Sequence, residues 1–373
     1  MKLAIITSRY PKENQPYNHM FVHVRALYFQ SQNIEVTILV PASSAATYTY
    51  QGINVIEDTA KVIEDKLKDY DVLYLHLLNH YPLANGGYRL YKTIMKHRYR
   101  TAIYIHGADV LVYPEYLYDF TWSLKGICKY LYVQIWNYRA MKRFLNQIST
   151  FDSYVMMTPS KWMKNHTEKI FNRKFEHFYA IPNGIDTELF DVPFDYNTRY
   201  NLITIRPLSD PKYGVDMAIE LMRFLPEPYT LDIYGKGHLK KTYEDLIRKY
   251  NLEKRIQIID SFIEREELPT LFSKYGQFLA FSRFDSQGVI MCEAMAARLL
   301  TISNYNSAIP EFIENNTTGL LGDNLEELAE SIVLISNNER QLQALVERGR
   351  ASMEEMNWMK QGEKELTVLR KLM

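Results

Sequence analysis

Short, uninterrupted apolar runs alternate along this chain with longer stretches whose apolar positions recur every three or four residues. The runs LAIITS (3–8), EVTILV (35–40), INVIE (53–57), DVLYLHL (71–77), TAIYIHG (101–107), YVMMTPS (154–160) and FYAIPNG (178–184) are rich in β-branched residues and predict buried strands. Helical spacing fills the gaps, first over 21–32, where Val22, Arg25, Ala26 and Phe29 share one side. The alternation then starts again. NLITIRPL (201–208), TLDIYGKG (230–237), RIQIIDS (255–261), QFLAFS (277–282) and LLTISN (299–304) read as strands, with helices between them. Strand–helix alternation of this kind builds parallel, doubly wound sheets, so an α/β chain with two such domains is expected. They meet near 181–197, where Pro, Gly and Asp cluster. The domains are expected at 1–183 and 184–350, with a helix over 351–373 that continues the second or crosses back to the first.

The stretch 113–146 departs from this rhythm, crowding aromatic residues among Lys125, Lys129, Arg139, Lys142 and Arg143. A helix pair packed on the sheet is the bland reading, and a membrane-facing amphipathic surface is the sharper one. Charge bears on the choice. The net charge is zero, yet residues 1–180 hold 22 Lys and Arg against 14 Asp and Glu, and residues 181–373 hold 22 against 30. Such an asymmetry suits either two domains that attract each other across a cleft or a basic first half that meets an anionic lipid.

The remaining composition narrows the class. A hydrophobic content of 47% with 24% charged residues excludes a disordered chain. Cys128 and Cys292 make no disulfide framework and suit a reducing compartment. MKLAIITSRYP reads as a first strand rather than a leader, and no stretch reaches the roughly eighteen apolar residues of a spanning helix. The expected location is cytoplasmic, at the inner face of the membrane if the basic half meets lipid.

Ligands of doubly wound sheets bind beyond the carboxyl ends of the strands, so the residues there are the candidates. In the first half these are the loop from Ser8 to His19, with Arg9 and Tyr10, and His106-Gly107-Ala108-Asp109. In the second half they are Arg206 with Lys212, Gly235-Lys236-Gly237, and FDSQGVIMCEAMA (284–296), which sets Asp285 eight residues before Glu293. Arg206 and Lys212 can neutralise a diphosphate. Gly288 lets backbone approach a phosphate at a helix start, where the dipole favours anions. Carboxylates accept hydrogen bonds from vicinal hydroxyls. The set suits a sugar nucleotide. Gly235 fits a strand-end turn as well as a donor contact. His76 and His80 fit the core at least as well as a site. Asp69-Tyr70-Asp71 reads as a solvated turn, and no His, Cys or carboxylate cluster has metal spacing.

These residues also resemble glycosyltransferase family 4, the retaining enzymes of the GT-B fold, with two Rossmann-like domains facing each other across a cleft. Asp285 stands where the family's first Glu usually is, and Glu293-Ala294-Met295-Ala296 matches the second. Ile181-Pro182-Asn183-Gly184-Ile185-Asp186-Thr187 is similar to the hinge signature, and Glu267-Leu268-Pro269, Ile309-Pro310-Glu311 and Thr318-Gly319-Leu320-Leu321 also match. The resemblance implies transfer of a sugar from a UDP- or GDP-sugar to an acceptor hydroxyl, with retention and no obligatory metal, in surface polysaccharide or glycolipid assembly. It makes Arg206 the diphosphate contact and Glu293 the ribose contact. Asp285 holds the transferred sugar with the amides of Ser286, Gln287 and Gly288, and His106 lies near the attacking hydroxyl. The acceptor, a saccharide or lipid-linked molecule, falls to the first domain, where Arg9, Tyr10, His19 and Asp109 are the candidates.

Two departures stand out. Aspartate replaces glutamate at 285, and Tyr213 rather than lysine precedes Gly214-Val215-Asp216, which leaves Lys212 as the substitute. They keep open a catalytically inert glycan- or lipid-binding relative. A dinucleotide-dependent dehydrogenase needs Gly-x-Gly-x-x-Gly after the first strand, and residues 8–19 contain no glycine. Neither a nucleic-acid partner nor a cofactor beyond the donor is expected.

Overall fold

The structure, a computed structural model, describes residues 1–13, 15, 18–80, 86–112 and 120–373. The chain forms two compact units, one of Met1–Pro182 with Met359–Met373 and one of Asn183–Trp358.

Among the described residues the first unit carries eight strands: β1 (Lys2–Thr7), β2 (Glu35–Pro41), β3 (Ala46–Tyr50), β4 (Ile53–Asp58), β5 (Val72–His76), β6 (Thr101–Tyr104), β7 (Tyr154–Thr158) and β8 (Phe178–Ala180). Their order is β3-β4-β2-β1-β5-β6-β7-β8, parallel except for β3 on β4. β1 lies between β2 and β5, with Ile5 opposite Ile38 on one side and Tyr74 on the other. Leu3, Ala4, Ile5 and Ile6 are fully buried, which is why this strand reads as one apolar run. β3 went unread because ATYTY is an edge strand, largely exposed, that needs no apolar alternation.

The second unit carries β9 (Asn201–Ile205), β10 (Thr230–Tyr234), β11 (Ile256–Ile259), β12 (Gln277–Leu279), β13 (Leu300–Ser303) and β14 (Leu320–Leu321). The order is β11-β10-β9-β12-β13-β14, all parallel. Leu202, Leu231, Ile233, Leu279, Leu300 and Ile302 form the middle of its core. In each unit the strand order reverses once about a central pair, β1–β5 in the first and β9–β12 in the second. Such a switch point opens a crevice at the carboxyl ends of the strands.

The helix Trp358–Arg370 leaves the second unit and belongs to the first from Met359 onward. Its Glu365, 2% exposed, accepts from Arg25 Nε at 3.1 and 3.0 Å and from the Tyr74 hydroxyl at 2.7 Å. Arg25 also donates from Nη1 to the Phe21 carbonyl (2.9 Å) and lies 4.1 Å over the Tyr104 ring.

Residues 113–119 of the aromatic stretch lie outside the described residues. A helix follows, α-helical over Leu124–Leu131, π-helical over Tyr132–Asn137 and α-helical again over Tyr138–Ile148. Its last part packs inward through Met141, Phe144, Leu145 and Ile148, with Phe144 edge-on to Tyr91 at 4.5 Å. The earlier turns stay exposed, so the packing expected for the whole stretch covers only its end.

Candidate functional site

In the second unit the candidates gather at the β9–β12 switch point. Arg206 follows β9 directly. It is 5% exposed, and its Nε and Nη2 have no hydrogen-bond partner among the described residues. Its guanidinium lies 5.5 Å from the Tyr213 ring, and Lys212 Nζ lies 4.7 Å from the same ring. Burial pulls the Arg206 pKa down, with Asp285 and Tyr213 opposing. Burial also works against the Lys212 ammonium, but Tyr213, Asp210 and Asp285 outweigh it and hold its pKa above the ordinary value. The turn carrying Lys212 is fixed at both ends. Asp210 accepts from the Lys212 amide (3.0 Å), and Arg283 donates to the Pro211 carbonyl (2.6 Å) while pairing with Asp216 (2.5 Å). Tyr213, noticed in the sequence only as a missing lysine, is the surface on which both cations rest.

Gly235 is required by close approach. A Cβ there would fall 1.9 Å from the Arg206 carbonyl oxygen. It therefore draws the end of β10 against the residue that carries the guanidinium, and no ligand contact is needed to account for it.

The turn after β12 is organised by Asp285 itself. Its Oδ1 accepts from the amides of Gln287 (3.1 Å) and Gly288 (2.6 Å), and Gly288 takes φ 75°. Two of the amides expected to face the transferred sugar are thus already occupied, while Oδ2 is left by this turn. The helix Val289–Ala296 begins next, and first-turn N–H groups have no intrahelical acceptor. Gln287 is 1% exposed and its side-chain amide is committed to Asn183: Oε1 accepts from Asn183 N (2.7 Å) and Nδ2 (2.6 Å), and Nε2 donates to the Asn183 carbonyl (2.9 Å). It ties the turn to the hinge segment, which supports positioning better than direct ligand contact. The Ser286 side chain is partly exposed.

Glu293 lies one to two turns into this helix, largely buried. Burial pushes its carboxyl up to about 7, with Arg265 opposing. Arg265 Nε approaches Glu293 Oε1 to 3.6 Å, and its Nη1 lies 3.7 Å from Asp186 Oδ2. Neither Arg265 nor Asp186 was singled out in the sequence, although Asp186 lies in the hinge signature and Arg265 just precedes Glu267-Leu268-Pro269.

In the first unit the candidates surround the β1–β5 switch point. His19 adopts the left-handed φ of 53° before the helix Met20–Ser31, and its Nδ1 bonds Thr7 Oγ1 (2.8 Å) at the end of β1. Burial, with Arg9 adding to it, brings its pKa down to about 4. His106 Nε2 bonds His76 Nδ1 (3.0 Å), and the His106 ring lies 4.6 Å from Phe21 and 4.5 Å from Tyr104. Burial, then Arg25 and His19, hold His106 well below the ordinary histidine value, so the ring is neutral near pH 7, and Nδ1 is the nitrogen His76 does not use. Asp109 folds back to accept from the amides of Gly107 (2.9 Å) and His106 (3.4 Å), and burial raises its pKa to about 6. Tyr10 does not fit an acceptor contact. It is fully buried and its hydroxyl bonds His23 Nδ1 (2.7 Å), whose Nε2 reaches Gln51 (2.9 Å). Arg9 is exposed beside it, and residues 14, 16 and 17 of the same loop lie outside the described residues.

Residues 192–352 match the sequence model of the family "glycosyl transferases group 1". The chain carries a group 1 glycosyltransferase domain. An uncharacterized glycosyltransferase of Methanocaldococcus jannaschii is 23% identical over 318 residues, 83% of this chain and 79% of that protein. The amylovoran biosynthesis glycosyltransferase AmsK of Erwinia amylovora is 28% identical over 185 residues, 46% of this chain and 45% of its own length. The crystal structure of Anabaena HepE in complex with UDP and glucose superposes with a TM-score of 0.75 at 14% identity, over 99% of both chains. This glycosyltransferase therefore has the GT-B fold, with one Rossmann-like sheet in each unit.

Proposed function

We propose that this glycosyltransferase moves a sugar, with retention of configuration, from a nucleotide diphospho-sugar to an acceptor hydroxyl in the assembly of a surface polysaccharide or glycolipid. The observation that carries the reading is Arg206, a buried guanidinium at the switch point with two nitrogens lacking hydrogen-bond partners and no carboxylate at bonding distance among the described residues. Burying a charge without a partner is costly, so such a group is best understood as awaiting an anion. The diphosphate is that anion. Arg206, assisted by Lys212 and the start of the helix Val289–Ala296, stabilises the negative charge that grows on the departing diphosphate. Glu293 accepts hydrogen bonds from the ribose, and Asp285 Oδ2 serves the transferred sugar. His106, neutral and with Nδ1 available, serves the acceptor hydroxyl, with Asp109 shaping its loop. A uridine donor is favoured, since HepE is a structural neighbour solved with UDP.

The test is a panel of UDP- and GDP-sugars, read by thermal shift and by transfer or hydrolysis. One donor class should raise the melting temperature, since a ligand held only by the native state stabilises it. Arg206→Ala should lower turnover by about 10²–10³-fold, the typical loss on removing a group that stabilises developing oxyanion charge. Nucleotide binding with no turnover of any donor would overturn the reading in favour of an inert relative.

A further inference from the structure

We propose that the stretch 120–148 of the first unit is a docking surface for an anionic lipid bilayer. The inference rests on this stretch alone and is independent of the donor reading. Half of the exposed large apolar side chains among the described residues lie between Trp122 and Trp136. Trp122 is 90% and Leu124 84% exposed, and Leu131, Ile135 and Trp136 follow at helical spacing. A contiguous apolar set on this scale marks an interaction site rather than scattered surface residues. The π-helical turn Tyr132–Asn137 buries only Val133 and leaves Ile135 and Trp136 outward. Wide turns of this kind inside helices are frequently found at functional places.

Charge identifies the partner. From Phe120 to Phe151 the sequence contains Lys125, Lys129, Arg139, Lys142 and Arg143 and not one Asp or Glu. The basic residues concentrate where the apolar ones end. An open groove of about 510 Å³ is lined by Arg139, Lys142, Arg143, Asn146 and Gln147, three cations and two amides. Its chemistry suits the phosphate of a lipid headgroup. Tryptophan, tyrosine and leucine beside Lys and Arg are the composition of a helix lying in a membrane interface, apolar side chains in the acyl boundary and cations at the headgroups. A protein interface core would be depleted in lysine. Nucleic acid would leave Leu124, Leu131 and Ile135 without a role. Among the described residues no helix is long and apolar enough to cross a membrane, so the contact is one of lying on the bilayer.

The experiment is co-sedimentation of the full chain with vesicles of phosphatidylcholine alone, or with roughly one third phosphatidylglycerol, at about 0.1 M salt, where charges are screened beyond ~10 Å. The protein should pellet with the anionic vesicles and stay in solution with the zwitterionic ones. The double variant Lys142→Glu with Arg143→Glu should weaken binding at least about 20-fold, from the gain of a few-fold that each cation near an anionic surface supplies. Trp122→Ala with Trp136→Ala should weaken it about tenfold through lost apolar contact. Trp122, Trp136 and Arg143 are exposed and Lys142 is partly so, and unchanged melting curves would show that both variants fold. Absence of binding to the anionic vesicles, equal binding to both kinds, or full binding by both variants would each overturn the proposal.

Discussion

Arg206 and Arg25 are both buried guanidinium groups, one in each unit, and they differ in what surrounds them. Arg25 meets the Glu365 carboxylate through Nε, the Phe21 carbonyl through Nη1 and the Tyr104 ring through its face. Arg206 rests near Tyr213, feels Asp285 only through space, and among the described residues leaves Nε and Nη2 without partners. Burial opposes the charge of both. For Arg25 the nearby Glu365 outweighs it and the pKa rises; for Arg206 Asp285 and Tyr213 do not, and it falls. Arg25 also has one unpartnered nitrogen, Nη2, but its charge is met at 3.0 Å by Glu365, whereas among the described residues Arg206 meets no carboxylate at hydrogen-bond distance. A buried charge by itself says nothing about function. The lack of a counter-charge at bonding distance does.

The comparison breaks most clearly at Glu365. Removing one partner of a buried ion pair strands the other charge, so Glu365→Ala should destabilise the first unit by about 3–5 kcal/mol in urea denaturation. Replacing both, with Arg25→Met and Glu365→Leu, should recover most of that loss. Arg206→Ala strands no carboxylate at hydrogen-bond distance and should leave the melting temperature of the ligand-free protein unchanged or higher. A Glu365→Ala variant as stable as the parent, or an Arg206→Ala variant as damaged as Glu365→Ala, would erase the distinction between the two arginines.

A smaller effect, read through pH, sharpens the second-unit side. The Glu293 carboxyl is raised from 4.5 to about 7, chiefly by burial. Because the folded value is the higher one, its contribution to stability is fully present below about 4.5 and is lost as pH rises through about 7. Ribose recognition runs the other way, since only the ionised carboxylate accepts from both hydroxyls. The diphosphate of a nucleotide sugar does not titrate in this range, so donor affinity should rise about tenfold from pH 6 to pH 8, the change in ionised fraction expected of a group near 7. Calorimetric titration at both pH values would measure it, and Glu293→Gln should flatten the profile. A parent profile as flat as that of the variant would detach Glu293 from the ribose.

The two regions were not equally legible in the sequence. Arg206 could be placed because it directly follows an apolar β-branched run, and a strand end fixes position by local rules. The switch-point arrangement followed from the same alternation. Gln287 on Asn183 could not be read, because 104 residues separate them and either amide alone looks like a ligand contact. Arg265 beside Glu293 was hidden for the same reason. Tyr10 misled because it shares a polar loop with Arg9, yet loops still send aromatic side chains inward, and only the fold shows Tyr10 bonded to His23. Glu365 was unreadable in kind, since nothing in a charged terminal helix marks which carboxylate is buried.

The smallest expected effect concerns Asp285, where charge and geometry can be separated. Its Oδ1 holds the amides of Gln287 and Gly288, and its charge acts on Arg206 and Lys212 through space. Asp285→Asn keeps an acceptor oxygen for the turn and removes the charge. Asp285→Glu keeps the charge but is one methylene too long to accept from the same two amides without moving the turn. If the turn is the main role, Asp285→Glu should cost about 1 kcal/mol of stability, the scale of a lost capping bond, and Asp285→Asn much less. If the charge is the main role, Asp285→Asn should instead lower diphosphate turnover while melting normally. The geometry favours both at once: Asp285→Glu less stable with an altered donor profile, and Asp285→Asn stable but slower. Equal stability of all three proteins would remove the turn from the account and return aspartate at 285 to a simple matter of reach toward the sugar.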